Sequence, residues 1–243
     1  ANAPAPGTPP RRDRPRRSTV LTAAATVTLV ALVAVAAVVS GGYTAERMDL
    51  DDDTVWVTSE VHQAVARANP RVGELNSAVR LDSSSLTVSQ FGQTVVVSEL
   101  GGGEARLLDT ARADVDDSFA LPVGDVEVTV GERVSSVLSR TTGDLWVTAT
   151  TALAAFDPAA PPDLTLGAGG DAALAPDGSV VAVSPASATV FTIPPAVALG
   201  DTAAAPRADP VGLDAGADVS ISAVGDDWVV LDREGGRLVT ATR

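Results

Sequence analysis

From Thr54 onward, short apolar runs alternate with polar, turn-forming stretches. Five leading runs stand out: TVWVTS (54–59), TVVVSE (94–99), DLWVTA (144–149), SVVAVS (179–184) and DWVVLD (227–232). Each follows a polar or turn-rich segment: DDD, FGQ, TTGD, APDG or VGDD. Behind each lies a second run, starting about ten residues after the first. These are AVARANP (64–70), ARLLDT (105–110), ALAAFDP (152–158), ATVFTIP (188–194) and GRLVTAT (236–242). Val, Ile, Thr and aromatic residues fill the runs, and Gly, Asp and Pro separate them, which predicts strand–turn–strand units. In one segment a helix competes. Residues 60–69, EVHQAVARAN, place Val61, Ala64, Val65 and Ala68 on one helical stripe ahead of Pro70. Strand is the reading carried forward.

The leading runs recur at intervals of 40, 50, 35 and 48 residues. Between them lie further apolar runs, among them LTVSQ (86–90), VSSVL (134–138) and VSISAV (219–224). This gives roughly four short strands per repeat of about 40–45 residues, the size of a β-propeller blade. A blade cannot bury both faces alone, so neighbours must stack and the series must close or be capped. The expected fold is therefore an all-β, propeller-like body of about four to five blades over residues 54–243. Its continuous apolar runs fit strands covered on both faces. Trp56, Trp146 and Trp228 are read as occupying one place in the pattern. That favours packing between blades over an aromatic rim for a ligand such as a sugar.

Residues 18–40 differ from all of this. They read STVLTAAATVTLVALVAVAAVVS and carry no charge. As a helix rising ~1.5 Å per residue they span about 35 Å, enough for a hydrocarbon core of ~30 Å. A lone span must satisfy its own backbone hydrogen bonds, so helix is the expected form. The rival is a cleaved signal peptide, but the apolar stretch exceeds the ~7–15 residues usual in such leaders. Either way the bulk of the chain is expected outside the cytoplasm. The tail, residues 1–17, is Pro- and Ala-rich and holds Arg11, Arg12, Arg14, Arg16 and Arg17 against Asp13 alone. This sets a cytoplasmic N-terminus by the positive-inside rule. Gly41, Gly42 and Tyr43 follow the span, and then Glu46, Asp49, Asp51, Asp52 and Asp53. Residues 41–53 are read as an acidic juxtamembrane linker. Their spacing does not match an EF-hand loop.

The 243 residues carry 17 Arg, no Lys, 31 Asp and Glu, one His and no Cys. Disulfides and thiolate metal sites are thereby excluded. The acidic body argues against nucleic acid as a partner, because a phosphate backbone is met by basic surfaces. No P-loop, GxGxxG, HExxH or GxSxG motif occurs. His62 is the only imidazole, and a surface or packing role is expected for it. The turns APDGS (175–179) and DREGG (232–236) are read as turn formers rather than calcium ligands. No catalytic, cofactor-binding or metal-binding residue is singled out, and no cofactor is expected.

The stretch LAPDGSVVAVSPASATVFTI (174–193) resembles the blade signature of bacterial propellers, with a P-D-G turn before an apolar strand. The order of parts resembles the N-terminal region of large actinobacterial membrane-anchored surface proteins. There a basic tail, one span and an acidic junction precede a propeller-like segment and then fibronectin type III or Ig-like domains. Here the junction reads DLDDDTVWVTS (49–59), followed by VARANPRVGELNSAV (65–79). The resemblance implies that such domains would lie beyond Arg243, since none is visible within the chain. The chain also stops in a strand-like run, which leaves blade number and closure open. The expected function is a single-pass, plasma-membrane-anchored extracellular interaction or structural module. Its partners would be the bilayer, through residues 18–40, and a cell-envelope polysaccharide or protein. The alternative is a carbohydrate-binding or glycoside-hydrolysing surface protein using a carboxylate pair ~5–9.5 Å apart.

Overall fold

The computed structural model describes residues 54–201, 203–225 and 227–241. The tail 1–17, the predicted span 18–40 and the acidic stretch 41–53 lie outside the described residues. Among the described residues no helix is long and apolar enough to cross a membrane.

Among the described residues, eighteen strands form five antiparallel sheets that follow one another along the chain. The first holds β1 (Val55–Ser59), β2 (Ala64–Asn69) and β3 (Glu74–Arg80). The second holds β4 (Leu86–Phe91), β5 (Thr94–Glu99), β6 (Glu104–Asp109) and β7 (Asp114–Ala120). The third holds β8 (Val126–Val130), β9 (Val134–Ser139), β10 (Asp144–Ala149) and the two-residue β11 (Leu164–Thr165). The fourth holds β12 (Asp171–Leu174), β13 (Val180–Ser184), β14 (Thr189–Ile193) and β15 (Arg207–Pro210). The fifth holds β16 (Val219–Val224), β17 (Asp227–Asp232) and β18 (Arg237–Thr240). Each sheet is a meander of sequential strands. In sheets two to five the first strand is the inner one: β4 neighbours β8, β8 neighbours β12, and β12 neighbours β16. This is the layout of an all-β fold of propeller type, in which sheets stack face to face around their inner strands.

Four apolar clusters fill the spaces between successive sheets. Trp56, Val65, Leu86 and Val95 sit between the first and second. Val96, Phe119, Val128 and Trp146 sit between the second and third. Val134, Leu145, Val180 and Ile193 join the third and fourth, and Val183, Val219, Ile221 and Trp228 join the fourth and fifth. Because both faces of a middle strand meet a neighbour, β9 and β13 are buried along their whole length. Continuous apolar runs, rather than strict alternation, are what such strands require.

Three expectations change. DLWVTA is not a leading strand of its sheet; it is β10, third in order, and the second strand is VSSVLS at β9. VSSVL, read as an apolar run lying between the leading ones, is that second strand, and its serines Ser135 and Ser136, with Ser139 just beyond, are all buried. ALAAFDP is not a strand: residues Thr150–Ala155 form a 3-10 turn that drops Leu153 into the core. Its Phe156 then meets Trp146 edge-on at 5.9 Å and Phe119 at 6.1 Å. The tryptophans also do not share one position. Trp56 and Trp146 lie on strands of different order in their sheets, and the pairing of Val224 with Asp227 sets Trp228 one residue out of step with Trp56. All three are nonetheless packed between sheets, at 5%, 8% and 7% exposure. Over residues 60–69 the strand reading holds. A turn at 60–63 leads into β2, whose Ala64, Val65 and Ala66 are buried while Val61 stands in solvent.

Candidate functional site

Ser89, Gln90 and Asp171, polar side chains of inner strands, brace one sheet against the next. An inner strand is an edge strand of its own sheet, so its outward N–H groups need partners. Ser89 Oγ on β4 accepts the Val130 N–H of β8 at 2.9 Å. Asp171 Oδ2 on β12 accepts the Ile221 N–H of β16 at 2.9 Å. The Gln90 side-chain amide accepts from Trp56 N–H at 2.9 Å and donates to Thr54 C=O at 3.1 Å. Between the third and fourth sheets, Arg140 Nη2 donates to Asp171 Oδ1 at 3.0 Å and to Glu127 Oε2. Every junction between successive sheets thus carries a polar brace beside its apolar cluster.

This network contains one carboxylate pair that shares a cation, Glu127 and Asp171 on Arg140; Arg106 draws Glu99 and Glu104, and Arg237 draws Asp214 and Asp232, in the same way. A general acid or nucleophile needs an oxygen turned toward substrate. Both oxygens of Asp171 are taken, by Arg140 and by Ile221 N–H. The pair therefore acts as a strut. The other turn carboxylates do the same locally. Asp177 Oδ1 accepts from Ser179 N–H at 2.9 Å and from Ser179 Oγ–H, which together hold its carboxyl below the usual carboxylate range. Asp232 Oδ1 accepts from Gly235 N–H at 2.8 Å and Oδ2 from Arg237 Nε at 3.0 Å, with the same effect on its carboxyl. These are the turn-forming roles expected of APDGS and DREGG. His62 lies exposed in the turn between β1 and β2.

Free chemistry gathers elsewhere. The turns after β4, β8 and β12 open on one side of sheets two to four and enclose a shallow cleft of about 60 Å³. Phe91, Glu132, Arg133, Leu174, Pro176 and Asp177 line it. Phe91, the last residue of β4, is 48% exposed. The Arg133 main-chain carbonyl accepts from Thr150 N–H and fixes the base of the turn, while its side chain stands in solvent. An exposed ring, a guanidinium and two carboxylates within one concavity can stack on a flat apolar face and hydrogen-bond around its rim. The sequence carried no signal for this cleft, because its residues come from three repeats and share no motif.

No protein-family model and no curated protein matches the chain. Solved structures do. The chain is similar to the dihydro-heme d1 dehydrogenase NirN at 16% identity and a TM-score of 0.58, covering 82% of this chain and 43% of that one. It is also similar to virginiamycin B lyase from Staphylococcus aureus, at 13% identity and a TM-score of 0.47, covering 79% and 67%. The β-propeller domain of Cps50 (Swd1) from Myceliophteria thermophila aligns at 10% identity and a TM-score of 0.44, covering 77% and 78%. The first match supports the propeller-type fold. The chain spans less than half the length of that protein.

Proposed function

We propose that the chain is the N-terminal part of a membrane-anchored surface protein, with residues 18–40 in the plasma membrane and the sheets outside the cell. Its sheet assembly is a non-catalytic interaction or structural module, as in the actinobacterial surface proteins it resembles. The uncharged stretch 18–40 behind five arginines supports the topology. The observation that carries the rest is the use made of inner-strand polar groups. Gln90, Ser89 and Asp171 are committed to holding sheets together, and Glu127 to Arg140, which reaches Asp171 in the next sheet. Protease treatment of intact cells tests the topology: an accessible body is digested while residues 1–17 stay protected, and a protected body ends the proposal.

A second reading has one observation behind it. Exposed Phe91 beside Arg133, Glu132 and Asp177 suits a saccharide, whose C–H face stacks on aromatic rings while its hydroxyls seek charged rim groups. In that case the module binds envelope polysaccharide through the cleft, without hydrolysing it.

A further inference from the structure

The contact between the fourth and fifth sheets shows how this fold buries a sheet face. Val181 and Val183 of β13 and Val190 of β14 share one apolar cluster with Trp228 and Val230 of β17, and all five are buried. Successive side chains of a strand point to opposite faces, so Val229 and Leu231 of β17 turn away from the fourth sheet. Leu238 of β18 pairs with Leu231 and shares that outward face. In the first sheet Trp56 packs toward the second, so Val55 and Val57 of β1 turn away from it.

Strand register makes these residues equivalent. Ser184 pairs with Thr189, Asp232 with Arg237 and Ser59 with Ala64. Each pair closes a turn of the same length, and the turns end in left-handed backbone at Ala188, Gly236 and Gln63. Counted from those turns, Leu231 and Leu238 stand where Val183 and Val190 stand in the fourth sheet. Val55 and Val57 stand where Trp228 and Val230 stand in the fifth. The outward face of the fifth sheet thus repeats one half of the buried contact, and the outward face of the first sheet repeats the other half. Only their exposure differs: Leu231 and Leu238 are 39% and 67% exposed, and Val55 and Val57 45% and 39%. The two halves are not joined within one copy.

We propose that the outward face of the fifth sheet docks the outward face of the first sheet of a second copy of this chain, head to tail. Leu231 and Leu238 then pack on Val55 and Val57 of the next copy as Val183 and Val190 pack on Trp228 and Val230. The neighbours of these residues across the strands are uncharged: Ser220 beside Leu231, Thr240 beside Val229 and Ala66 beside Val57. The centre of the contact is therefore free of like-charge repulsion, although the chain carries a net charge of −14. The contact joins unlike faces, so each pair of copies keeps one face of each kind open and the stack can grow. The inference rests on the reading of the sheets as an interaction module and names that module's partner; it does not depend on the topology of residues 18–40.

Sedimentation velocity of the full chain in detergent micelles tests this. The unaltered chain should self-associate reversibly as its concentration rises to about 100 μM. Leu238→Arg spoils the fifth-sheet half and Val57→Arg the first-sheet half. Both side chains are exposed, so melting temperatures should not move. Each variant alone should be monomeric. Their equimolar mixture should form dimers and nothing larger, because each copy still offers one intact face. The milder Leu238→Ser and Val57→Ser should each weaken association about tenfold, which reads the same contact if an arginine variant fails to fold. Monomers at every concentration overturn the proposal, and so does association that survives in both arginine variants. Association kept in Val57→Arg and lost in Leu238→Arg sets the fifth sheet against its own like face and overturns the head-to-tail contact. The interaction-module reading is tested apart from this, through the stability of brace variants such as Asp171→Ala, which touch neither face.

Discussion

Asp171, on the first strand of the fourth sheet, accepts the backbone N–H of Ile221, on the first strand of the fifth, at 2.9 Å. Its second oxygen takes Arg140 of the third sheet at 3.0 Å. One side chain therefore links three sheets, and it is nearly all buried. Asp171→Ala leaves Ile221 N–H buried without a partner and Arg140 with Glu127 alone. A loss of about 3 kcal/mol follows from the orphaned donor and the broken charge pair. Glu127 is 41% exposed at its side chain, so Glu127→Gln should cost at most about 1 kcal/mol. Urea denaturation of the two variants checks the contrast; equal midpoints would mean that Asp171 is not a brace.

Two glycines separate the effect of backbone conformation from that of space. Gly143, in the turn after β9, has φ +77°, and a Cβ there would overlap the backbone of Gly167 in the linker between sheets three and four. Gly101 has φ +75° with nothing near its missing Cβ. Gly101→Ala is expected to cost about 1 kcal/mol, the conformational penalty alone. Gly143→Ala adds a clash with main chain that cannot swing aside, and should cost about 3 kcal/mol or abolish folding. Thermal melts of both variants provide the comparison.

The five-sheet plan was legible because burial on both faces forces long apolar runs, and turns between them need Gly, Asp and Pro. What stayed hidden has physical causes. VSSVL was visible as an apolar run but not as the second strand of its sheet; there Ser135 is fully buried and shares a hydrogen bond with Thr150 Oγ1. Trp146 gives DLWVTA the look of TVWVTS and DWVVLD, which shifts the apparent repeat. ALAAFDP has the composition of a strand, but Pro158, Pro161 and Pro162 crowd its exit, and its apolar residues pack as a 3-10 turn instead. The cleft around Phe91 is invisible in one dimension, since its walls join only when three sheets stack. Asp171 looked like any of thirty-one carboxylates. Its role depends on Ile221, fifty residues away.

Acid should loosen the turns in a defined direction. The Gly235 N–H and the Arg237 guanidinium lower the Asp232 pKa from 3.8. The Ser179 hydroxyl and N–H do the same for Asp177, and the Arg112 N–H for Asp109. A carboxyl whose pKa is lower folded than unfolded binds more protons when unfolded. Its contribution is present in full above the unfolded pKa and fades as pH falls through the folded one. Melting temperature should therefore hold steady from pH 7 to about 5 and decline below about 4. In Asp232→Asn the decline should be shallower. An identical acid limb in that variant would exclude Asp232 as a contributor.

The cleft gives the last test, and it divides the two functional readings. Phe91 is about half exposed, so Phe91→Ala removes little buried surface and should change stability by under about 0.5 kcal/mol. Were a saccharide to stack on the ring, the same change would remove a contact worth about 1.4 kcal/mol and weaken binding about tenfold. Arg133→Ala should add a similar loss through the rim. Asp177 is unsuitable as a probe, because its carboxylate also holds Ser179 in the turn before β13. Titration of soluble envelope oligosaccharides against the unaltered chain and the two variants gives the answer. A tenfold loss at unchanged melting temperature assigns the cleft to carbohydrate. Equal affinity in all three, or no binding by any, removes the saccharide reading and leaves the sheets as a scaffold.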